Sequence, residues 1–514
     1  MNKEESLDRY KEGVKAWNKW AKEMLAGKAT LEENNQWQMH GGVGLNQETK
    51  DWIDESSVAF SNHAFEDAVD FSNFIFPHVT HFSNTKFSSD ALFSNTTFSG
   101  DASFYDTTFN IRTWFDNTIF NGNTWFSNVT FSGEVEFGKA IFNGEAWFIK
   151  KTTFSNDACF DNTVFNGDTL FSNVTFSGDS RFGKAIFSGD TLFTEKTTFS
   201  GKAGFDNAKF SGITGFYNTT FIGEAEFKNI TFSGDAKFYK TTFSDVARFN
   251  RTLFEGFTSF RETSFEKSSS FIAIKGQSFF SFKDAKFHLV PDFNQAHFIE
   301  APQFDNSDFS QALKHNQSKS KGNLSSRWRS LKRLAIQGHD HERELIFFSE
   351  EIKSQRGIQD KALPNLLNCF KKKPVWQGGA RYWFGFFYQY LSDFGRSIMR
   401  PLLLWLLFGA IFCFLYLKYP IENMSTLTHD DSIAQCDRLE SAIYLSARSA
   451  LPFLPVTTYS ENINRSYACL YGKNCDEEAN IPIVVVFLSI AQTILSTILI
   501  FLLLLALRNH FKIK

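Results

Sequence analysis

The sequence predicts a mainly β chain, a ribbon wound into a long coil and followed by an α-helical membrane region. Three observations carry that prediction. Phenylalanine returns every fifth or sixth residue from Phe60 to Phe309, the residue two places before each ring is small or β-branched, and two long uncharged apolar stretches lie near the C-terminus. A spacing of 5 and 6 fits neither a helical face, which recurs at 3 and 4, nor a long strand with its period of 2. The chain must turn after every repeat.

The text FSNVTFSGEVEFGKAIFNGEAWF carries Phe126, Phe131, Phe137 and Phe142, and it restarts almost unchanged with Phe171, Phe176, Phe182 and Phe187. Residues i and i−2 of an extended segment share a face. Ala91, Thr96, Ala102, Thr107 and their successors therefore point inward beside the rings, while the Ser, Asn, Asp, Gly and Lys between them belong at turns and outside.

This AxFxx-like text resembles the pentapeptide-repeat family over about half the chain. The resemblance implies a right-handed quadrilateral β-helix, with four repeats to one square coil. Every second repeat here carries an extra residue, as between Phe98 and Phe104, which gives about 22 residues per coil. The 45-residue shift from Phe126 to Phe171 is then two coils plus one residue. Gly100, Gly133, Gly178 and Gly189 are expected to supply corner geometries that other residues disfavour. Residues 51–310 would give roughly eleven coils and, at about 4.8 Å each, a rod of about 50–55 Å.

Repeat arrays need caps. Within residues 1–50, Leu7, Tyr10, Val14, Trp17, Ala21 and Met24 fall at spacings of 3 and 4, so residues 4–26 read as an amphipathic helix over the first coil. A membrane-surface role is the alternative, against which acidic residues are mixed with the lysines. The N-terminus lacks an apolar signal region, so the repeats are expected in the cytoplasm. Residues 311–375 read as a helical linker, opening with QALKHNQSKSKGN and continuing as helix over 325–355. His339 and His341 stand two apart there, and on a helix they would diverge; no cysteine lies near to complete a metal set.

Residues 376–400, with Tyr382, Trp383, Tyr388 and Tyr390, suit an interfacial helix at headgroup level. Pro401 to Leu417 is uncharged over 17 residues and Ile483 to Leu507 over 25, so 401–419 and 481–507 are expected to span the bilayer. Lys371, Lys372, Lys373, Arg396 and Arg400 precede the first span, and Arg508, Lys512 and Lys514 lie in the tail, 508–514. The loop 420–480 is acidic, so both termini are placed in the cytoplasm and the loop in the periplasm of an inner membrane. There Cys436, Cys469 and Cys475 meet oxidising conditions, and the short Cys469 to Cys475 spacing favours that pair, with Cys436 the open alternative. Cys159, Cys369 and Cys413 are expected as thiols.

The loop also holds a short helical pattern at 439–452, followed by the non-helical text VTTYSEN from Val456. Helix, then extended stretch, between two spans resembles the two-span, ion-channel-like module that some bacterial membrane proteins join to pentapeptide repeats. A potassium filter would need a glycine-bearing segment, and Val456 to Ser460 has no glycine. Ser489, Gln492, Thr493 and Ser496 form one polar stripe on the second span. Such groups in hydrocarbon require a partner or water, so the stripe reads either as a pore lining or as a helix-packing seam, and it suggests a homo-oligomer assembled through the spans.

No phosphate loop, nucleophile elbow or metal signature stands out, so no enzyme, cofactor or catalytic residue is expected. A formal charge of −3, with basic clusters beside the membrane, gives no expectation of nucleic-acid binding. Two functions of different class remain. One is a bilayer-anchored scaffold presenting a rigid rod to an unidentified cytosolic protein; the other is an oligomeric channel-like protein with the rod as sensor or gate.

Overall fold

The computed structural model describes residues 1–37, 45–314, 321–356, 379–418, 437–451, 460–472, 479 and 481–512, in two compact units, Met1–His339 and Asp340–Lys514. The first is a four-sided parallel β-solenoid of short strands in sheets of 11, 11, 10 and 11. Val58 pairs with Thr80 and Ile119 with Ile141, a coil of 22 residues. Two coils take 23 residues, as Thr130 to Thr153 and Thr175 to Thr198 show. The extra residue enters at a corner each time, where Lys150 and Lys151, then Glu195 and Lys196, are consecutive left-handed residues. The two-coils-plus-one arithmetic of the 45-residue repeat resolves to the first of these insertions.

The rings named from the sequence, Phe126, Phe131, Phe137, Phe142, Phe171, Phe176, Phe182 and Phe187, are all buried. Phenylalanine forms a column behind each sheet: Phe154, Phe176 and Phe199 stack at 4.7 Å with interplanar angles of 1° and 0°. Neighbouring columns meet edge to face, as Phe171 and Phe182 do at 5.9 Å and 87°. Aromatic quadrupoles favour both arrangements.

The small inward positions divide into two kinds. Where an inward threonine stands just before its strand, its hydroxyl donates to the phenylalanine carbonyl of an adjacent coil: Thr163 Oγ1 to Phe137 O at 2.8 Å, Thr118 Oγ1 to Phe93 O at 2.6 Å. Where the inward threonine instead opens its strand, no phenylalanine carbonyl of another coil bonds it. Thr124, Thr169, Thr191 and Thr214 are buried with unpaired hydroxyls.

The corner glycines correct an expectation. Gly100, Gly133, Gly178 and Gly189 do not have positive φ. Left-handed backbone recurs every 11 residues on Asn62, Asn73, Asn84, Asn95 and onward, positions where asparagine is tolerated best. Glycine serves close approach instead, since a Cβ at Gly133 would lie 2.4 Å from the Ile111 carbonyl carbon.

Both ends are covered by helices. The single helix expected over 4–26 is two, α1 (Lys3–Lys11) and α2 (Val14–Glu33), broken at Gly13 with φ of 86°. A capping box between Asn2 and Glu5 starts α1, and α3 (Gln47–Ser56) begins under the Asn46 side chain. Trp17 is fully buried against Phe60, Phe74 and Phe76, and its Nε1 donates to Ile75 O at 2.8 Å. At the other end, the segment expected as a linker carries α4 (Ser310–Lys314) and α5 (Lys321–Gln337). Trp328, Leu331 and Leu334 of α5 are buried, and Arg327 meets the buried Asp292 at 3.3 Å. Thus α5 belongs to the solenoid as its second cap.

The second unit contains α6 (His341–Arg356), α7 (Gly379–Ser392), α8 (Met399–Lys418), α9 (Arg438–Ala450), α10 (Ser460–Tyr471) and α11 (Ile483–Lys512). Both α8 and α11 are long and apolar enough to cross a membrane. Their outward Leu403, Leu406, Phe487 and Phe501 are more than half exposed, the surface a lipid-facing helix presents. Phe412 and Tyr416 of α8, Ala442 and Leu445 of α9, Leu470 and Tyr471 of α10 and Val485 of α11 form the unit's core. The expected non-helical run is corrected at its end, because Ser460, Glu461 and Asn462 open α10; Val456 to Tyr459 lie outside the described residues.

Candidate functional site

The outward positions of one solenoid sheet carry the densest chemistry in the first unit. Strand register places Glu136, Cys159, Arg181, Gly204, Glu226 and Arg248 on successive coils of one face. Arg181 lies 3.7 Å from Glu136 and 3.3 Å from Asp161. Glu226, with 7% side-chain exposure, gathers Lys202 at 3.4 Å, Arg248 at 3.0 Å and Lys228. Burial pushes the Glu226 carboxyl up, but the lysine contacts outweigh it and hold the group below the usual carboxylate range. Gly204 leaves this face open, making a cleft of about 270 Å³ lined by Asp161, Asp179, Arg181, Lys202 and Asp206. Burial likewise pushes the Cys159 thiol up to about 11, which leaves it protonated and weakly nucleophilic near neutrality.

The outward carboxylates also join coil to coil. Asp157 Oδ1 accepts from the Asp179 amide at 2.9 Å, and Asp179 Oδ1 accepts from the Lys202 amide at 2.8 Å. They are ladder groups as well as solvated turn residues.

In the second unit the polar stripe is drawn into the chain's own packing. Gln492 is 1% exposed; its Oε1 accepts from the Tyr416 hydroxyl at 3.0 Å, and its Nε2 donates to Ser446 O at 2.9 Å and Ser446 Oγ at 2.8 Å. Ser446 Oγ in turn donates to Gly409 O at 2.8 Å. Thr493 Oγ1 donates to Ser489 O within α11, and Ser496 is buried. One side chain of α11 thus ties α8 to α9. Sequence reasoning missed Tyr416 and Ser446 because they lie 76 and 46 residues from Gln492; the only local hint is a serine on the apolar face of α9.

Among the described residues no group of three or more His, Cys, Asp or Glu side chains has metal-binding geometry. His339 occupies a left-handed turn after α5, and His341 Nδ1 lies 3.1 Å from Glu344. Cys159 and Cys413 are free thiols, and Cys469 is disulfide-bonded. Cys369, Cys436 and Cys475 lie outside the described residues.

Together these features define the class: a parallel β-solenoid capped by helices and joined to a helical unit with two candidate membrane spans. Part of this solenoid matches the pentapeptide-repeat family. Residues 71–119, 115–150, 149–195 and 195–242 match the family model described as Pentapeptide repeats, in 9 copies. The matched span is about a third of the chain, and the same register continues on both sides of it. No curated protein and no solved structure matches the chain.

Proposed function

We propose that this protein is a membrane-anchored scaffold, in which α8 and α11 hold the chain in an inner membrane with both termini in the cytoplasm and the solenoid offers its charged faces to a cytosolic protein. The single observation that carries this reading is the engagement of Gln492. Its amide is bonded on both sides within one chain, so this residue of the stripe requires neither water nor a second copy, and the stripe serves packing before conduction. The charged face supports the same reading, because its ion pairs are spread over successive coils as a recognition surface would be rather than gathered around one reacting point.

Two measurements test it. The scaffold reading expects the chain to resist carbonate extraction from membranes and to give no current in planar bilayers at any voltage or ion gradient. Release by carbonate would overturn the anchor. A current abolished by Gln492→Leu with Ser496→Ala would overturn the scaffold in favour of a conduit.

A further inference from the structure

A different solenoid face carries an apolar stripe for which neither capping nor anchoring accounts. Strands Thr124–Ser127, Ala146–Ile149, Thr169–Ser172 and Thr191–Thr194 are four residues long where most others have two. Their register stacks Trp125, Trp147, Leu170 and Leu192 outward on successive coils. On the next coil Gly215 is overlaid by the Tyr217 ring. Scattered exposed apolar residues need no explanation, but a contiguous run on a flat, regular face marks an interaction surface.

Charge selects the occupant. Glu145, Asp168 and Asp190 precede these strands and form one edge of the face, held in row by bonds such as Asp168 Oδ1 accepting from the Asp190 amide at 2.8 Å. Lys150, Lys151 and Lys196, exposed at the left-handed corners, form the opposite edge, which Glu195 shares. A face acidic on one side, basic on the other and apolar between is complementary to itself under one operation. A two-fold axis parallel to the rod sets each acidic edge against the partner's lysines and lays the stripe on its own copy, coil by coil. A two-fold axis across the rod would set acid against acid.

We propose that the solenoid pairs face to face with a second copy of this chain, rods parallel, through the Trp125 to Leu192 stripe. Rods aligned coil by coil bring the whole face together, roughly eleven coils at about 4.8 Å by about 15 Å or about 800 Å² per partner, the size of a standard specific interface, with the four-coil stripe supplying about 300 Å² of it as the apolar centre. The interface is isologous. The chain leaves both rods at the same end, which suits two copies rooted in one membrane.

The test uses the full chain in lipid nanodiscs. In the parallel pair every stripe residue faces its own copy, so Leu170→Cys and Leu192→Cys should each form self-cross-linked dimers on mild oxidation, at similar yields at least five-fold above the parent chain. Asp190→Cys mixed with Lys196→Cys should give the mixed dimer, and neither alone should. A further pair, Leu170→Asp with Leu192→Asp, lies outside the core, so the melting curve should hold while cross-linking through an added Trp125→Cys falls to the parent level. Self-cross-linking at only one of the two leucine positions would overturn the parallel arrangement. No cross-linking at either would overturn self-pairing, and protection of the stripe by a different molecule in that case would assign the face to a heterologous partner.

Discussion

Replacing Thr163 and Thr191 by valine exchanges the same atoms at two buried sites whose hydrogen bonding is opposite. The Thr163 hydroxyl donates to Phe137 O at 2.8 Å, whereas the Thr191 hydroxyl has no partner. Thr163→Val loses a net hydrogen bond worth about 1 kcal/mol, while the Phe137 carbonyl keeps its bond from the Ala140 amide. Thr191→Val removes an unpaired buried hydroxyl, which costs about 1–3 kcal/mol where it stands, and the site type accepts the shape since Val58 and Val135 occupy corresponding inward positions. Propensity and unfolded-state terms cancel between the two. The variants should therefore differ by about 2 kcal/mol, one below and one above the parent, or roughly 4–8 °C in melting temperature for a rod of this length. Circular dichroism melts of the full chain in detergent read this directly. If Thr191→Val destabilised as much as Thr163→Val, the division of inward threonines into paired and unpaired would be wrong.

Phe176→Asp should cost about 4 kcal/mol or more and loosen neighbouring coils, because it removes a ring stacked on both sides and buries a carboxylate. Asp179→Asn should change stability by less than about 0.5 kcal/mol, since an amide oxygen can accept the Lys202 amide just as Asn123 Oδ1 accepts from the Glu145 amide at 2.9 Å; hydrogen exchange separates the two outcomes coil by coil. Glu226→Gln should destabilise the solenoid by about 1–2 kcal/mol at pH 7. Because the folded carboxyl is held below its ordinary range, the Glu226 contribution is fully present above the unfolded pKa and lost as pH falls through the folded one. The melting difference between parent and variant should therefore close in acid; a gap unchanged across that window would refute the ion-pair account.

The inward rings were legible because a large side chain at spacings of 5 and 6 leaves the backbone one way to bury it. The two kinds of threonine were not. Thr163 and Thr191 occupy the same place in their repeats, but Thr163 stands just before its strand while Thr191 opens one, a difference the spacing does not reveal, since Thr152 and Thr197 follow a six-residue gap and are bonded all the same. The glycines were found for the wrong reason: sequence shows that Gly133 lacks a Cβ but not that another coil's carbonyl carbon lies 2.4 Å from where it would be. Likewise, apolar spacing revealed the helix of α5 but not its docking, which depends on Asp292 35 residues earlier. The polar stripe of α11 was visible as a stripe. Its partners were not, because α9 closes on it through tertiary packing that no local pattern encodes.

The two inserted corners have a practical consequence. At Lys150 and Lys151, and again at Glu195 and Lys196, the chain gains a residue while the rings on either side keep their stacking, 4.7 Å between Phe148 and Phe171 and 4.7 Å between Phe193 and Phe216. Length is absorbed at the edge and never transmitted along the column. These edges are natural grafting points: a fluorophore acceptor peptide or epitope spliced there would ride on the rod at a known height, turning the solenoid into a graduated molecular ruler.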